Sequence, residues 1–341
     1  MLKSMRKWQV GVEDEAGVEV DASDRLLGDI SVSDASETVT PEADYGLQDA
    51  VIEAPVLVLE GTDVSWNTDV SFEQILYALL CGVKGAVTPA EVNPGEGDYQ
   101  WDFVPLATSK PVVDSLTLEY LETEGVSGPS EEWTCTAMLC SEIEFSWEGG
   151  ASLAQLVSAW FATGIVNKAA ATGVAKPART LIPGKKVTVA FAATMADLVS
   201  ATARTDVLSG SWKLTTGIQR KDRADGTLDY SEYKADKRAV ELSLSVDLGA
   251  DFEAARLRFR AGTETFIRIM VEGAQIGAGE KKTIIFDGRF VIPAWSDFGD
   301  DDDNESTLDV TYVAQYDPTS GKAFSVHVIN DQAVVPGSLG S

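Results

Sequence analysis

Carboxylates dominate the side chains that could do chemistry in this chain, and their spacing limits what that chemistry can be. The densest run is Asp300-Asp301-Asp302-Asp303, followed by Glu305. Adjacent aspartates project in all directions, so the run reads as a solvated loop rather than a cation site. Lys221–Glu232 places Gly226, Asp229 and Glu232 at calcium-loop offsets, but Lys221 and Arg223 stand where carboxylates would have to coordinate the ion. The segment is expected to be a charged β-hairpin turning at Ala224-Asp225-Gly226. His327 is the single histidine and alternates with Val326 and Val328; no Ser or Asp in a recognisable motif accompanies it, so a structural or exposed role is expected. Cys81, Cys135 and Cys140 lack CxxC spacing and read as buried free thiols. Gly184-Lys185-Lys186 lacks the rest of a phosphate-binding loop, and no nucleophile elbow, dinucleotide fingerprint or metal-ligand spacing is found. These observations point away from an enzyme, a cofactor or a metal centre. Trp66, Trp101, Trp133, Trp147 and Trp212 would suit a sugar-binding surface, yet all fall in or beside alternating strands, where aromatic residues pack cores.

The elements that must carry these residues are mainly strands. Val240–Leu248, Ser141–Trp147 and Thr307–Ala314 alternate apolar and polar residues, the pattern of antiparallel strands with one wet face. Two segments have helical spacing. Ser71–Leu80 begins with a capping Ser and stops at Gly82, and Asp251–Arg260 begins with Asp and stops at Gly262. Each follows an alternating strand (Pro55–Val70, Val240–Leu248) and opens on Phe-Glu. Each also precedes further strands: Trp101–Val104, Leu116–Leu121 and Cys135–Trp147, then Phe266–Val271, Thr283–Pro293 and Leu308–Tyr316. A long polar segment precedes each pair, Asp21–Gln48 and Gln219–Arg238. The chain therefore reads as a duplication: a first β unit over residues 1–168, a connector over 169–184 rich in Ala, Gly and Pro, and a second β unit over 185–341. The fold class is mainly β (α+β), with two sandwich- or barrel-forming units, each with one flanking helix and a long polar arm. Ser152–Val166 fits a helix or a strand equally well.

Charge separates the two units. The 341 residues carry 54 acids against 27 bases, a net charge of −27. Residues 1–167 hold 30 acids and six bases, a net of −24, which leaves −3 for the remainder. So acidic a surface argues against gripping nucleic acid through basic patches, while 44% hydrophobic residues suffice for real cores. No run of about 18 apolar residues would span a membrane. Met1–Val10 has basic residues without an apolar stretch behind them, so no secretory leader is expected and the chain is expected to be made as a soluble cytoplasmic protein.

One further pattern is specific. A Val58–Val70 strand leads to the Ser71-Phe72-Glu73 helix ending at Cys81-Gly82, then Tyr99–Pro105, Lys110-Pro111, Leu116–Tyr120 and Cys135–Trp147. In the second half, Gly210–Gly217 leads through the polar segment into Val240–Leu248, Phe252–Arg260, Ala261-Gly262-Thr263 and Phe266–Val271. This layout, over most of residues 50–316, resembles the major tail tube protein of siphovirus-type phages and archaeal tailed viruses. The resemblance implies a virion structural protein. Its units would give strands to a continuous inner barrel, and its arms would reach the neighbouring ring. Three two-unit chains per ring would stand in for six, a homohexamer being the lesser expectation. It also implies tape-measure, tail-terminator and distal tail proteins as partners, and viral DNA passing through without specific binding. Lumen candidates are wet-face residues: Glu142, Glu144, Glu241, Ser243, Ser245, Asp247, Asp309 and Thr311. Carboxylates there would repel phosphate, and closing the barrel would remove exposed sheet edges. The resemblance assigns Gln219–Arg238 as the inter-ring arm, with Arg220, Lys221, Arg223, Asp225, Tyr230, Lys234, Lys237 and Arg238 as its contacts, and Asp21–Gln48 as the first unit's equivalent. The rival reading is a β-sandwich adhesin or carbohydrate-binding protein on a virion or cell surface.

Overall fold

The computed structural model describes residues 6–41, 54–123, 130–247, 250–295, 301–302 and 305–335. Of the Asp300–Asp303 run, Asp300 and Asp303 lie outside the described residues, and the backbone of Asp301-Asp302 pairs with Glu305-Ser306 as a short strand rather than an open loop. In the first half the strands are β1 (Arg6–Glu13), β2 (Asp24–Leu26), β3 (Asp29–Asp34), β4 (Glu37–Val39), β5 (Val56–Leu59) and β6 (Thr62–Asp69). After helix α1 (Ile75–Gly82) come β7 (Ala90–Glu91), β8 (Tyr99–Phe103), β9 (Ser115–Thr123), β10 (Ser130–Glu148) and β11 (Gln155–Ala162). The second half holds β12 (Val187–Ala192), β13 (Val207–Thr215), β14 (Ile218–Lys221), β15 (Glu232–Ala235) and β16 (Ala239–Asp247). Helix α2 (Ala250–Ala261) then leads to β17 (Thr265–Gln275), β18 (Lys281–Val291), β19 (Asp301–Asp302), β20 (Glu305–Ala314) and β21 (Phe324–Asn330). The mainly β expectation holds.

Among the described residues all strand ladders are antiparallel, and their order repeats. The pairings β1·β9, β9·β10, β3·β6, β6·β11 and β10·β11 recur as β12·β17, β17·β18, β13·β16, β16·β20 and β18·β20. A two-stranded hairpin hangs between the same two strands in each set, β4–β5 between β3 and β6, and β14–β15 between β13 and β16. The sets are joined by β10·β13, seven pairs from Glu142↔Thr215 to Glu148↔Ser209. The result is one sheet in the order β3-β6-β11-β10-β13-β16-β20. A second sheet, β12-β17-β18-β21-β8-β7, brings β8 of the first half against the last strand. A third consists of β2, β1, β9 and the start of β10. One hydrophobic core, including Trp66, Phe103, Phe145, Trp212 and Phe286, runs through residues of both halves.

β10 serves two sheets because it bends. Ser130–Met138 follows β9, and Leu139–Ser146 follows β11. At the bulge between them Ala137 adopts φ 52°, a left-handed conformation that needs support. Buried Glu13 supplies it: its carboxylate accepts from Ala137 N at 2.8 Å, Thr117 Oγ1 at 2.9 Å and Ser115 Oγ at 2.6 Å. Several acids of the first half thus act as internal acceptors for loop amides. Glu119 accepts from Ala22 N and Ala171 N, and Glu73 from Thr180 N.

Three local expectations need correction, and one left open is decided. Pro55–Val70 is two strands, β5 and β6, because the chain turns at Glu60-Gly61, where the Arg220 guanidinium sits 3.0 Å from where a Cβ on Gly61 would lie. Asp21–Gln48 is not one arm: β2 and β3 lie in the sheets, and the polar residues Asp29, Ser31 and Ser33 are the wet side of a half-buried strand. The true counterpart of β14–β15 is β4–β5. Helix α1 starts at Ile75, with Ser71 Oγ accepting from Gln74 N at 3.2 Å, and every residue in it is buried. Its sequence, ILYALLCG, is apolar all round, so it is internal rather than flanking. Ser152–Val166 resolves as strand β11.

Candidate functional site

Register places all eight lumen candidates on one face of the seven-stranded sheet. One row across the strands runs Asp29–Asn67–Val157–Glu144–Lys213–Glu241–Val313. The row beside it runs Ser31–Ser65–Ala159–Glu142–Thr215–Ala239. On the other side come Asp69–Gln155–Ser146–Ser211–Ser243–Thr311, then Glu148–Ser209–Ser245–Asp309. Asp247 follows at the end of β16, opposite Thr307. The opposite face is apolar: Ile143, Phe145, Trp212, Leu214, Leu242, Leu244 and Val310 are buried. The two serine-rich rows line an open trough of about 810 Å³.

The electrostatics of this face are one-sided. Lys213 stands among acids, with Glu144 and Glu241 opposite it on the neighbouring strands. Its Nζ lies 2.8 Å from Glu142 Oε1, and that hydrogen bond raises its pKa against the opposing effect of burial. Glu148, Asp29 and Asp309 are exposed, while Asp69 is held by Gln155 Nε2 at 2.7 Å. Asp29, Asp63, Asp69 and Glu148 belong to the same face but were absent from the sequence-based set. The alternation of Val64, Trp66 and Thr68 with Asp63, Ser65, Asn67 and Asp69 was the signal that could have found most of them.

Several arm residues already have partners within their own chain. Hairpin β14–β15 folds back over the first half of its own chain because it carries apolar residues as well as charge. Ile218 and Tyr230 form a small cluster with Ala137, Leu139 and Phe161, and Tyr233 packs against it. Tyr230 donates to Ala137 O, and burial raises its pKa strongly. Arg220 reaches Thr62 O and Asp63 Oδ1, both at 2.6 Å, and Arg238 donates to Leu106 O. Lys221 and Arg223 pair with Glu232 of the same hairpin, and Lys110 joins them at 3.0 Å. The hydrogen bonds from Lys221 and then Lys110 lower the Glu232 pKa to about 2. Asp225 closes the turn, accepting from Ser231 and Thr227, and lies at about 2 for that reason. Lys234 and Lys237 are exposed.

Histidine chemistry has more company than its sequence neighbourhood suggested. His327 Nδ1 lies 2.6 Å from Asp102 Oδ1 across the β8·β21 ladder, and its Nε2 lies 3.2 Å from Ser325 Oγ. This has the order of a nucleophilic triad, but Ser325 is fully buried and its Oγ also accepts from Lys322 Nζ at 3.0 Å. No substrate carbonyl can reach it. Trp66, Trp101, Trp147 and Trp212 are buried, while Trp133 is half-buried and stacks on Tyr120. The three cysteines are free and buried, and burial raises the pKa of each. Among the described residues no helix is long and apolar enough to cross a membrane. No family model matches this chain, and no curated protein matches it.

Proposed function

We propose that the chain is a self-assembling structural subunit of a viral tail tube, with the wet face of the seven-stranded sheet turned to the lumen through which DNA passes. The carrying observation is the gathering of Glu142, Glu144, Glu148, Glu241 and Asp309 on one face of a sheet that crosses both repeats. Such a face repels phosphate, and its serine rows offer hydrogen bonds to water without a cation to trap the strand. Lys213 is neutralised by its acidic neighbours. The repeated ladder supports two tube units per chain and a ring of three chains. The adhesin reading loses its aromatic platform, because the tryptophans that would stack on sugar are mostly in the core.

The test is negative-stain electron microscopy of concentrated, gently warmed protein. Hollow tubes with a regular axial repeat are the expected result. Protein that stays monomeric under every condition, or that retains glycans, would sink the proposal.

A further inference from the structure

The repeated ladder lets one half of the chain predict a contact for the other. Met138 is the last β10 residue opposite β9, and Leu139, the next, pairs with Phe161. In the second ladder Phe290 is opposite Thr265 at the start of β17, and Val291, the next, pairs with Val313. Val291 and Val313 are therefore the counterparts of Leu139 and Phe161, and both pairs point to the wet face. Leu139 and Phe161 are only 2% and 6% exposed, because Ile218 and Tyr230 of β14–β15 lie over them. Val291 and Val313 remain half-exposed.

The counterpart of that covering hairpin is β4–β5, whose apolar side chains lie open. Val39 is 54% exposed, Val56 56% and Val58 43%. The β14–β15 hairpin can reach Leu139 because β13, the strand it leaves from, lies beside β10. The strand from which β4–β5 leaves is β3, which among the described residues pairs with β6 alone, at the edge of the sheet. The counterpart of β10 is β18, whose Phe290 and Val291 meet β20 at the far edge of that sheet, so the equivalent reach must go to another molecule.

We propose that β4–β5 of one copy covers Val291 and Val313 of a second copy, with β3 running beside that copy's β18–β20 corner. The contact reproduces between chains the seam already present within one. Burying this row of valines also removes an exposed apolar hairpin and a free sheet edge. The surface that gives the hairpin belongs to the half of net charge −24, and the receiving surface to the half of net −3, so pairing unlike halves avoids the strongest repulsion. The proposal rests on the reading of the chain as a self-assembling subunit. It makes the first hairpin a lateral joint within a ring, rather than a contact between rings.

Two differently tagged variants, Val58→Cys and Val313→Cys, are co-expressed, allowed to assemble and treated with a short bis-maleimide. The native thiols are buried and do not interfere. A cross-linked species carrying both tags is expected, and it should vanish when Val18→Cys replaces Val58→Cys. A Val56→Asp/Val58→Asp variant should keep the parental melting temperature and lose at least ten-fold in assembly yield. Assemblies of normal yield with no mixed cross-link, or normal assembly of the double-Asp variant, would overturn the lateral joint while leaving self-assembly intact. Wild-type protein that never assembles would overturn both.

Discussion

Gly210 is where the seam between the two ladders is least able to give, and adding one methyl group there should be felt. It sits in β13 opposite Trp147 of β10 and Leu244 of β16. A Cβ at this position would lie 2.5 Å from Trp147 Cζ2, 2.8 Å from Trp147 Cη2 and 2.8 Å from Leu244 Cδ2. In an uncrowded strand, Gly→Ala stabilises by about 0.5–1 kcal/mol through the unfolded chain. Here the methyl must displace an indole already packed against Phe145, and overpacking of that kind costs about 1–3 kcal/mol. Taking the middle of each range, about 2 kcal/mol against about 0.75, Gly210→Ala is expected to be net destabilising by about 1–2 kcal/mol. With an unfolding entropy near 2.1 cal/mol/K per residue, the melting temperature should fall by about 1–3 °C. Urea unfolding followed by tryptophan fluorescence measures the effect. Trp147→Phe removes the atoms that clash, so the penalty should shrink by about 0.5 kcal/mol or more in that background. A Gly210→Ala protein as stable as its parent, or a penalty unchanged by Trp147→Phe, would refute the packing at the seam.

Other expectations follow from the same geometry. Replacing Glu142, Glu144 and Glu241 by Lys should turn the wet face from DNA-repelling to DNA-binding. Anisotropy of a labelled duplex would show binding only in the variant, with a log–log salt slope of about −0.9 per lysine engaged. Lys282 Nζ lies 2.8 Å from both Glu73 and Asp331, with Glu73 only 7% exposed. Lys282→Met strands that carboxylate and should destabilise by about 2–4 kcal/mol in chemical denaturation. The Glu232 carboxyl has a lowered pKa, so its contribution is full above the ordinary value of 4.5 and fades as pH falls through about 2. Proteolysis of the β14–β15 hairpin should accordingly stay slow at pH 5 and accelerate only near pH 2, and acceleration already at pH 5 would contradict the pairing with Lys221. The buried thiols should resist a disulfide reagent at pH 8 and all react in denaturant.

The long strands were legible because alternation is a local signal: Ile143, Phe145 and Trp147 announce a buried face without help from any other segment. The wet face was legible only strand by strand. That Glu144, Lys213 and Glu241 form one row depends on register between strands far apart in sequence, which no local pattern encodes. For the same reason β8·β21 and the Asp102–His327–Ser325 contact were hidden, since Asp102 and His327 are 225 positions apart. β3 was misread for a different reason. Its polar residues outnumber Ile30 and Val32, so composition suggested an arm where alternation already described an edge strand. The β14–β15 hairpin was weighed by its charge, and the buried pair Ile218 and Tyr230 decided its position instead.

The β10·β13 seam has a consequence for dilution. A joint between separate molecules survives only as far as its affinity exceeds their concentration. A joint between strands of one chain meets an effective concentration on the order of millimolar, whatever the solution holds. Carrying both ladders on one chain thus makes this junction permanent, and any reversible association would be left to the remaining edges. It also frees the two sides to diverge, since a change on one side of a fused joint need not suit an identical copy. The concentration of acidic residues in one half is what such freedom permits.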